Sequence, residues 1–367
     1  MYSLLKKFLF SLEPETAHGL VKNLGCVAPK FFFRATTSVR DSRLNGRIGS
    51  VTVDNPIGLA AGFDKNGEMI PLMRALGFGF LELGSVTLNP CLGNSKPRLF
   101  RLPADESLIN RLGLPNAGAD HFLKNVKKKQ WGIPLGINIA KTPFVSHAGT
   151  PPAQTRKAVE EYVRTFTRIG HLGAYVVLNL SCPNTGDGKT FEDPKAFSLL
   201  ARGIAEARRD TGNGRPVLVK ISPDTEKKEL KGLIEEAEKW GFDGYVVGNS
   251  TAKRPHLYAS HQTLKKIGPG GLTGRALAGL ANHQLKNVRE IAGPGTLIIG
   301  VGGILSFKDL VAKLSLGAAF FQVYTGLVYR GPWFVKSLNR DLAALCARHG
   351  VKNYLELRGL KEIVSGL

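Results

Sequence analysis

The chain has 367 residues, enough for two or three domains of ordinary size or one large α/β barrel, and too many for a mini-protein. At 43% hydrophobic and 22% charged it can bury a full core, which excludes an intrinsically disordered chain and a polytopic membrane protein. Fifty Lys and Arg against 29 Asp and Glu leave a net charge of +21, which asks for an anionic partner: nucleic acid, an acidic membrane surface, or a phosphorylated or carboxylated ligand.

The first 44 or so residues differ in character from the rest. Leu4, Leu5, Phe8 and Leu9 form an apolar stripe beside Lys6 and Lys7. Pro14 signals the start of a second helix that carries Ala17, Leu20, Val21 and Leu24 at helical spacing and ends near Gly25. Phe31-Phe32-Phe33 follows, between Lys30 and Arg34. Such a helix pair can dock on a larger domain or lie in a bilayer interface, and both can hold at once.

From about residue 55 the chain alternates short apolar runs with longer helical patterns. The runs, eight in number, are Ile57 to Ala61, Phe80 to Val86, Leu135 to Ile139, Ala174 to Leu180, Val217 to Ile221, Gly244 to Val247, Leu297 to Val301 and Phe320 to Tyr324. Each is nearly continuously apolar, as a strand buried on both faces must be, and segments such as Thr155 to His171 and Thr225 to Trp240 have helical length and period. Eight such units predict a (β/α)8 TIM barrel over 45–367, with an N-terminal two-helix appendage over 1–44. A doubly wound sheet fits less well: no G-x-G-x-x-G follows the first strand, and Gly300-Val301-Gly302-Gly303 has Leu305 where the third glycine belongs.

Cys26, Cys91, Cys182 and Cys346 lie far apart without a C-x-x-C pair, so no zinc knuckle, iron-sulfur cluster or other metal site is expected, and the compartment reads as reducing. No apolar run reaches 18 residues and no cleavage site follows an apolar core, so neither membrane spanning nor secretion is expected.

A barrel keeps its active site at the C-terminal ends of its strands. Those ends carry Ala60-Ala61-Gly62-Phe63-Asp64-Lys65-Asn66-Gly67, Gly84-Ser85-Val86-Thr87, Asn138 and Lys141, Asn179 to Thr185, Lys220, Asn249-Ser250-Thr251, Gly302-Gly303 and Tyr324-Thr325-Gly326. Amides and lysines gathered this way suit a planar, carbonyl-rich, anionic ligand. Glycines after strands seven and eight, where barrels commonly hold phosphate, point to a phosphorylated planar cofactor, and flavin mononucleotide (FMN) fits.

Two residues invite reactive roles. Lys220 reads either as a Schiff-base lysine of an aldolase-like barrel or as a cation beside flavin N1. Cys182 lies past its strand, before Pro183 and between Asn179 and Asn184, where a thiol can reach substrate and serve as proton acceptor if its surroundings stabilise the thiolate. Two other motifs fail. Gly188-Lys189-Thr190 lacks the upstream glycine of a Walker A loop, the place being Pro183. The basic residues lack aromatic interleaving, and Lys127-Lys128-Lys129 reads as a solvated helix end, so nucleic acid is not the expected partner.

Several motifs together resemble the dihydroorotate dehydrogenases, and within them the membrane-associated, quinone-dependent class 2. They are Leu12-Glu13-Pro14-Glu15-Thr16-Ala17-His18, the run from Asn55 to Glu68, Lys96-Pro97-Arg98-Leu99-Phe100-Arg101-Leu102, Ile109-Asn110-Arg111, Gly136-Ile137-Asn138-Ile139, Gly270-Gly271-Leu272-Thr273-Gly274-Arg275, Ile298 to Gly303, and Gly331-Pro332. Position by position, the resemblance implies FMN contacts at Ala61, Gly62, Ser85, Asn138, Asn179, Lys220, Gly248, Gly274, Gly303, Tyr324 and Thr325. It implies substrate contacts at Lys65, Asn110, Arg111, Leu112, Gly113, Leu114, Asn184, Asn249 and Ser250, and Cys182 as the catalytic base. His18, Arg101 and Tyr324 match polar residues at the inner end of a quinone funnel formed by the N-terminal helices.

The reaction this implies is oxidation of dihydroorotate to orotate in de novo pyrimidine biosynthesis. A base removes a proton from C5, a hydride leaves C6 for flavin N5, and the electrons pass on to quinone. It also implies peripheral association with the cytoplasmic side of the inner membrane. The chain departs from the class 2 pattern in places. Cys182 stands where class 2 has serine and class 1 has cysteine, Leu114-Pro115-Asn116 replaces a Phe-Asn-Asn-like stretch, and Gly248-Asn249-Ser250-Thr251 replaces Thr-Asn-Thr-Thr. The alternatives are a class 1-like enzyme using fumarate or NAD, and a Schiff-base lyase built on Lys220.

Overall fold

A computed structural model describes residues 2–27, 38–127, 130–143, 151–180 and 190–365. Eight parallel strands close into a barrel: β1 Ile57–Leu59, β2 Phe80–Val86, β3 Leu135–Ile139, β4 Tyr175–Asn179, β5 Val217–Ile221, β6 Gly244–Val247, β7 Leu297–Val301 and β8 Phe320–Val323. They follow one another around the ring in sequence order, β5 pairing with β6 and β8 closing against β1. Every strand residue except Leu297 is buried. That is the environment the continuous apolar runs demand, and each fully buried Val, Leu or Ile contributes about 1.5–3 kcal/mol.

Two shells of apolar packing hold the barrel. Outside it, strand side chains such as Ile137, Leu178 and Val219 meet helix residues such as Phe166, Ile204 and Leu233. The expected Thr155 to His171 segment forms helix Pro151–Ile169 followed by a 3-10 turn at Gly170–Leu172, and the helix expected over Thr225 to Trp240 runs Lys227–Lys239. Inside it, Phe80, Tyr175, Val177, Leu218, Val246, Ile299 and Phe320 pack together. Glycine makes room for these rings: a Cβ on Gly136 would lie 2.2 Å from the Tyr175 ring. A hairpin of Gly46–Ile48 and Val51–Val53 adds Ile48 and Val53 to the interior cluster beside Phe80, Tyr175 and Phe320, the first residues of β2, β4 and β8. The hairpin therefore closes the N-terminal end of the barrel and leaves the other end for a ligand.

Over that other end lies a three-stranded antiparallel sheet, with Ser107–Asn110 between Leu99–Leu102 and Gly271–Gly274. Leu99–Leu102 and Ser107–Asn110 are joined by a short turn, but Gly271–Gly274 arrives from far along the chain, so no local periodicity announces its pairing. The N-terminal helices, α1 Tyr2–Ser11 and α2 Pro14–Val27, sit on this side of the molecule, α2 against Leu99–Leu102 and helix Ile70–Ala75. No helix among the described residues is long and apolar enough to cross a membrane.

Candidate active site

The strand ends, the three-stranded sheet and the first turn after β8 enclose one cavity. Of the residues expected at FMN, Ala61, Gly62, Ser85, Asn179, Lys220, Gly248, Gly274, Gly303, Tyr324 and Thr325 line it. Of those expected at substrate, Lys65, Asn110, Leu112, Gly113, Leu114, Asn249 and Ser250 line it too. Cys182 and Asn184 lie outside the described residues. Among the described residues no group of three or more His, Cys, Asp or Glu is placed to hold a metal ion.

A hydrogen-bonded row crosses the floor of the cavity. Asn249 Nδ2 donates to Asn179 Oδ1 at 3.4 Å, and Asn179 Nδ2 donates to Ser85 Oγ at 2.9 Å, linking the ends of β6, β4 and β2. Lys220, 5% exposed, reaches Glu82 at 3.5 Å. Glu82 is fully buried and accepts from Asn138 Nδ2 at 2.7 Å and from Gln322 Nε2 at 2.6 Å. The barrel interior thus neutralises the Lys220 ammonium from below and leaves its upper side toward the cavity. A lone glutamate in the apolar run Phe80 to Val86 was the sequence signal for this group, since a buried carboxylate needs such partners.

Three expected residues are placed differently from the rest. Asn138 lies behind the cavity wall, bonded to Glu82, and its Oδ1 has no partner among the described residues. Arg111 turns away: its guanidinium donates to the Ile267 and Pro269 carbonyls and lies 4.7 Å from the Phe100 ring centroid. Arg101 donates to the Leu12 carbonyl at 2.7 Å and stacks 4.7 Å from the Phe10 ring centroid, fastening the α1–α2 junction.

His18 lines a second cavity, together with Glu15, Lys22, Glu68 and Arg98. Gly62, Lys65, Leu99, Leu112 and Tyr324 line both cavities, so the two adjoin. A row of rings runs along their border: His18 packs edge-on to Phe63 at 4.9 Å, and Phe63 to Tyr324 at 5.1 Å. Burial, with Lys65 and Lys22 nearby, lowers the His18 pKa to about 4, so its imidazole is neutral at ordinary pH. Burial, with Arg98 nearby, lowers Lys65 to about 8; its ammonium donates to the Gly62 carbonyl at 2.8 Å. The ion pair of Arg98 and Glu15 at 2.9 Å pins α2 to this border, a role the sequence pattern did not single out.

The glycines at the far side of the first cavity have a steric reason to be glycine. Gly303 has φ of 77°, and a Cβ there would lie 2.4 Å from Ala278 Cα, at the start of helix Ala278–Ala292. Bare backbone approaching a helix start in this way is where a barrel binds phosphate oxygens. The donor set fits FMN: a buried cation and amides for the ring, and glycine backbone for a phosphate.

A closed (β/α)8 barrel with strand-end amides, lysines and glycines around one mouth defines a barrel protein built for a planar anionic ligand. The family model for dihydroorotate dehydrogenase matches residues 43–346, and the chain belongs to that family. It is 37% identical over 359 residues to dihydroorotate dehydrogenase (quinone) of Halobacterium salinarum, covering 95% of this chain and 97% of that one. To the protein of the same name from Corynebacterium diphtheriae it is 35% identical over 367 residues, covering 98% and 97%. The crystal structure of DHODH from Eimeria tenella in complex with ferulenol superposes with a TM-score of 0.83 at 28% identity, covering 95% of this chain and 96% of that one.

Proposed function

We propose that this chain oxidises dihydroorotate to orotate with FMN and delivers the electrons to a membrane quinone, as a step of pyrimidine biosynthesis. The observation that carries the reading is the convergence on one cavity of Lys65, Asn110, Asn179, Asn249 and Lys220 with the glycines 248, 274 and 303. Lys65 offsets the substrate carboxylate, and the asparagines meet the ring amides, which need donors and acceptors together. Cys182 accepts the proton from C5, so that the C5–C6 bond can become double. When bound, FMN supplies the two-electron redox chemistry, held by Lys220, Asn179 and Ser85 at its ring and by Gly274, Gly303 and Thr325 at its phosphate. Lys220 would place positive charge beside the ring, and that role is preferred to a Schiff base because its amine already faces the Glu82 carboxylate at 3.5 Å.

The quinone reading rests on the second cavity. It is lined in part by α2 and adjoins the first through Tyr324, so a quinone there would meet the His18, Phe63 and Tyr324 rings at the border of the two cavities. Leu4, Leu5 and Phe8 on α1 are exposed beside Lys6 and Lys7, which suits peripheral attachment to an anionic bilayer on its cytoplasmic side. The test is turnover of dihydroorotate against a short-chain quinone, fumarate and NAD, after checking the flavin absorption spectrum of the purified protein. Quinone turnover far above the others is expected. Equal turnover with fumarate would transfer the chain to the class 1-like reading, and a colourless protein that stays inactive with added FMN would end the flavin reading. Cys182→Ala is expected to lower the rate of flavin reduction about 10²–10⁴-fold with FMN still bound, and Cys182→Ser to retain activity with an altered pH profile. Unchanged reduction in the alanine variant would remove Cys182 as the base.

A further inference from the structure

We infer that Glu106 is a positioning residue for the phosphate end of the first cavity, an inference that rests on the FMN reading above. Glu106 is not among the residues that line the cavity. It sits in the turn between Leu99–Leu102 and Ser107–Asn110, with φ of 42°, a left-handed conformation that a non-glycine residue adopts only when its surroundings impose it.

Its carboxylate is held by two arginines from different walls. Arg275 donates to Oε2 through Nε at 2.8 Å and Nη2 at 2.6 Å. Arg330 donates to Oε2 through Nη2 at 2.9 Å and pairs with Oε1 at 2.5 Å. Burial would raise the Glu106 pKa, but the two arginines outweigh it and hold the carboxyl below its ordinary value.

Each arginine belongs to a segment that lines the cavity. Arg275 directly follows Gly274. Arg330 ends the turn of helix that begins at Thr325, and its Nε donates to the Leu305 carbonyl at 3.0 Å, just past Gly302 and Gly303. Glu106 therefore ties together the three backbone segments, at Gly274, at Gly303 to Leu305 and at Thr325, that would surround a phosphate.

The neighbouring atoms reinforce the same joint. The Glu106 carbonyl accepts from the Arg275 N–H at 3.3 Å, Ser107 Oγ accepts from the Ala276 N–H at 3.2 Å, and the Tyr329 hydroxyl donates to the Ser107 carbonyl at 2.9 Å. Two guanidiniums sharing one carboxylate repel each other once its charge is gone, so neutralising Glu106 drives the Arg275 and Arg330 segments apart. The phosphate cradle opens while the floor made by Asn249, Asn179 and Ser85 stays in place.

The test compares FMN with riboflavin, which has the same ring and no phosphate, by equilibrium dialysis against the full-length protein and two variants. Glu106→Gln is expected to weaken FMN binding about five- to tenfold and to change riboflavin binding less than about twofold. Arg275→Gln, at a half-exposed side chain, is expected to act in the same direction and decides the matter if Glu106→Gln does not fold. FMN affinity unchanged or tightened, or FMN and riboflavin weakened equally, would overturn the inference. Wild-type protein that binds neither flavin would instead overturn the FMN reading itself.

Discussion

The barrel mouth and the N-terminal helix pair bury polar groups in opposite ways. At the mouth, one fully buried carboxylate, Glu82, serves an ammonium and two amides from three other strands, so its partners form a network. At the helix pair the docking is made of separate contacts: Glu15 with Arg98, Leu12 with Arg101, and the Tyr2 hydroxyl on the Val328 carbonyl at 2.6 Å. A network loses everything when its centre is removed, whereas separate contacts fail one at a time. The mouth should therefore behave as one rigid unit, and the helices as an element whose attachment can be weakened piece by piece.

The sharpest way to break that comparison is Glu82→Gln. It leaves the Lys220 ammonium buried without its counter-charge and turns a donor toward Asn138 or Gln322. Breaking a buried pair in this way costs about 3–5 kcal/mol, read as a large fall in the urea midpoint. A loss under about 1 kcal/mol would mean that the network is not the centre of the mouth.

Glu15→Gln comes next. The pair with Arg98 is mostly buried, and Arg98 Nη1 already spends its hydrogen bonds on the Leu92 and Asn94 carbonyls, so the guanidinium cannot follow a moving α2. We expect about 2–3 kcal/mol of local docking energy to be lost, seen as faster proteolysis near α2 and a raised KM for quinone with the KM for dihydroorotate unchanged. Equal rises in both KM values would show that the helices support the mouth after all.

What the sequence revealed of these two regions differs for the same reason. The barrel was legible because each strand is buried on both faces, so Val176, Val219 and Val246 declare themselves within their own short runs. The strand-end residues followed from the barrel's polarity rule, which placed Asn179, Lys220 and Gly303 at the mouth without any pairing information. Hidden from view were contacts between distant segments whose residues look like ordinary surface charge: Glu15 with Arg98, and Glu106 with Arg275 and Arg330. Arg111 shows the converse. Its motif neighbours Asn110 and Leu112 face the cavity, and the alternation along the strand and its extension sends Arg111 to the Ile267 carbonyl instead.

A third, smaller effect sits where the two regions meet. His18 titrates near 6.5 when unfolded and near 4 when folded, so the unfolded chain binds the extra proton between those values. Stability contributed by the neutral imidazole is thus present above pH 6.5 and lost as the pH falls toward 4. The loss is about 2 kcal/mol once solvent screening of a half-buried ring is allowed for. His18→Gln should flatten the melting temperature over that interval, and an unchanged pH profile in the variant would show that His18 is not desolvated at the border of the cavities.

The smallest effect separates two adjacent lysines on α1. Lys6 lies 5.2 Å from the Phe10 ring centroid and 5.0 Å from that of Tyr329, so its charge already has a partner within the protein. Lys7 is exposed on the turn that carries Leu4, Leu5 and Phe8. A lysine near an anionic bilayer contributes about 1 kcal/mol, roughly a fivefold change in binding, and salt screens it. Sedimentation with phosphatidylglycerol-containing vesicles should therefore show Lys7→Gln weakening attachment several-fold at low salt and little at high salt. Lys6→Gln should weaken it less and loosen α1 instead, because what it removes is the contact with Phe10 and Tyr329. If both substitutions reduce vesicle binding equally, α1 is held to the barrel without Lys6, and the helix pair is less firmly docked than its ring contacts imply.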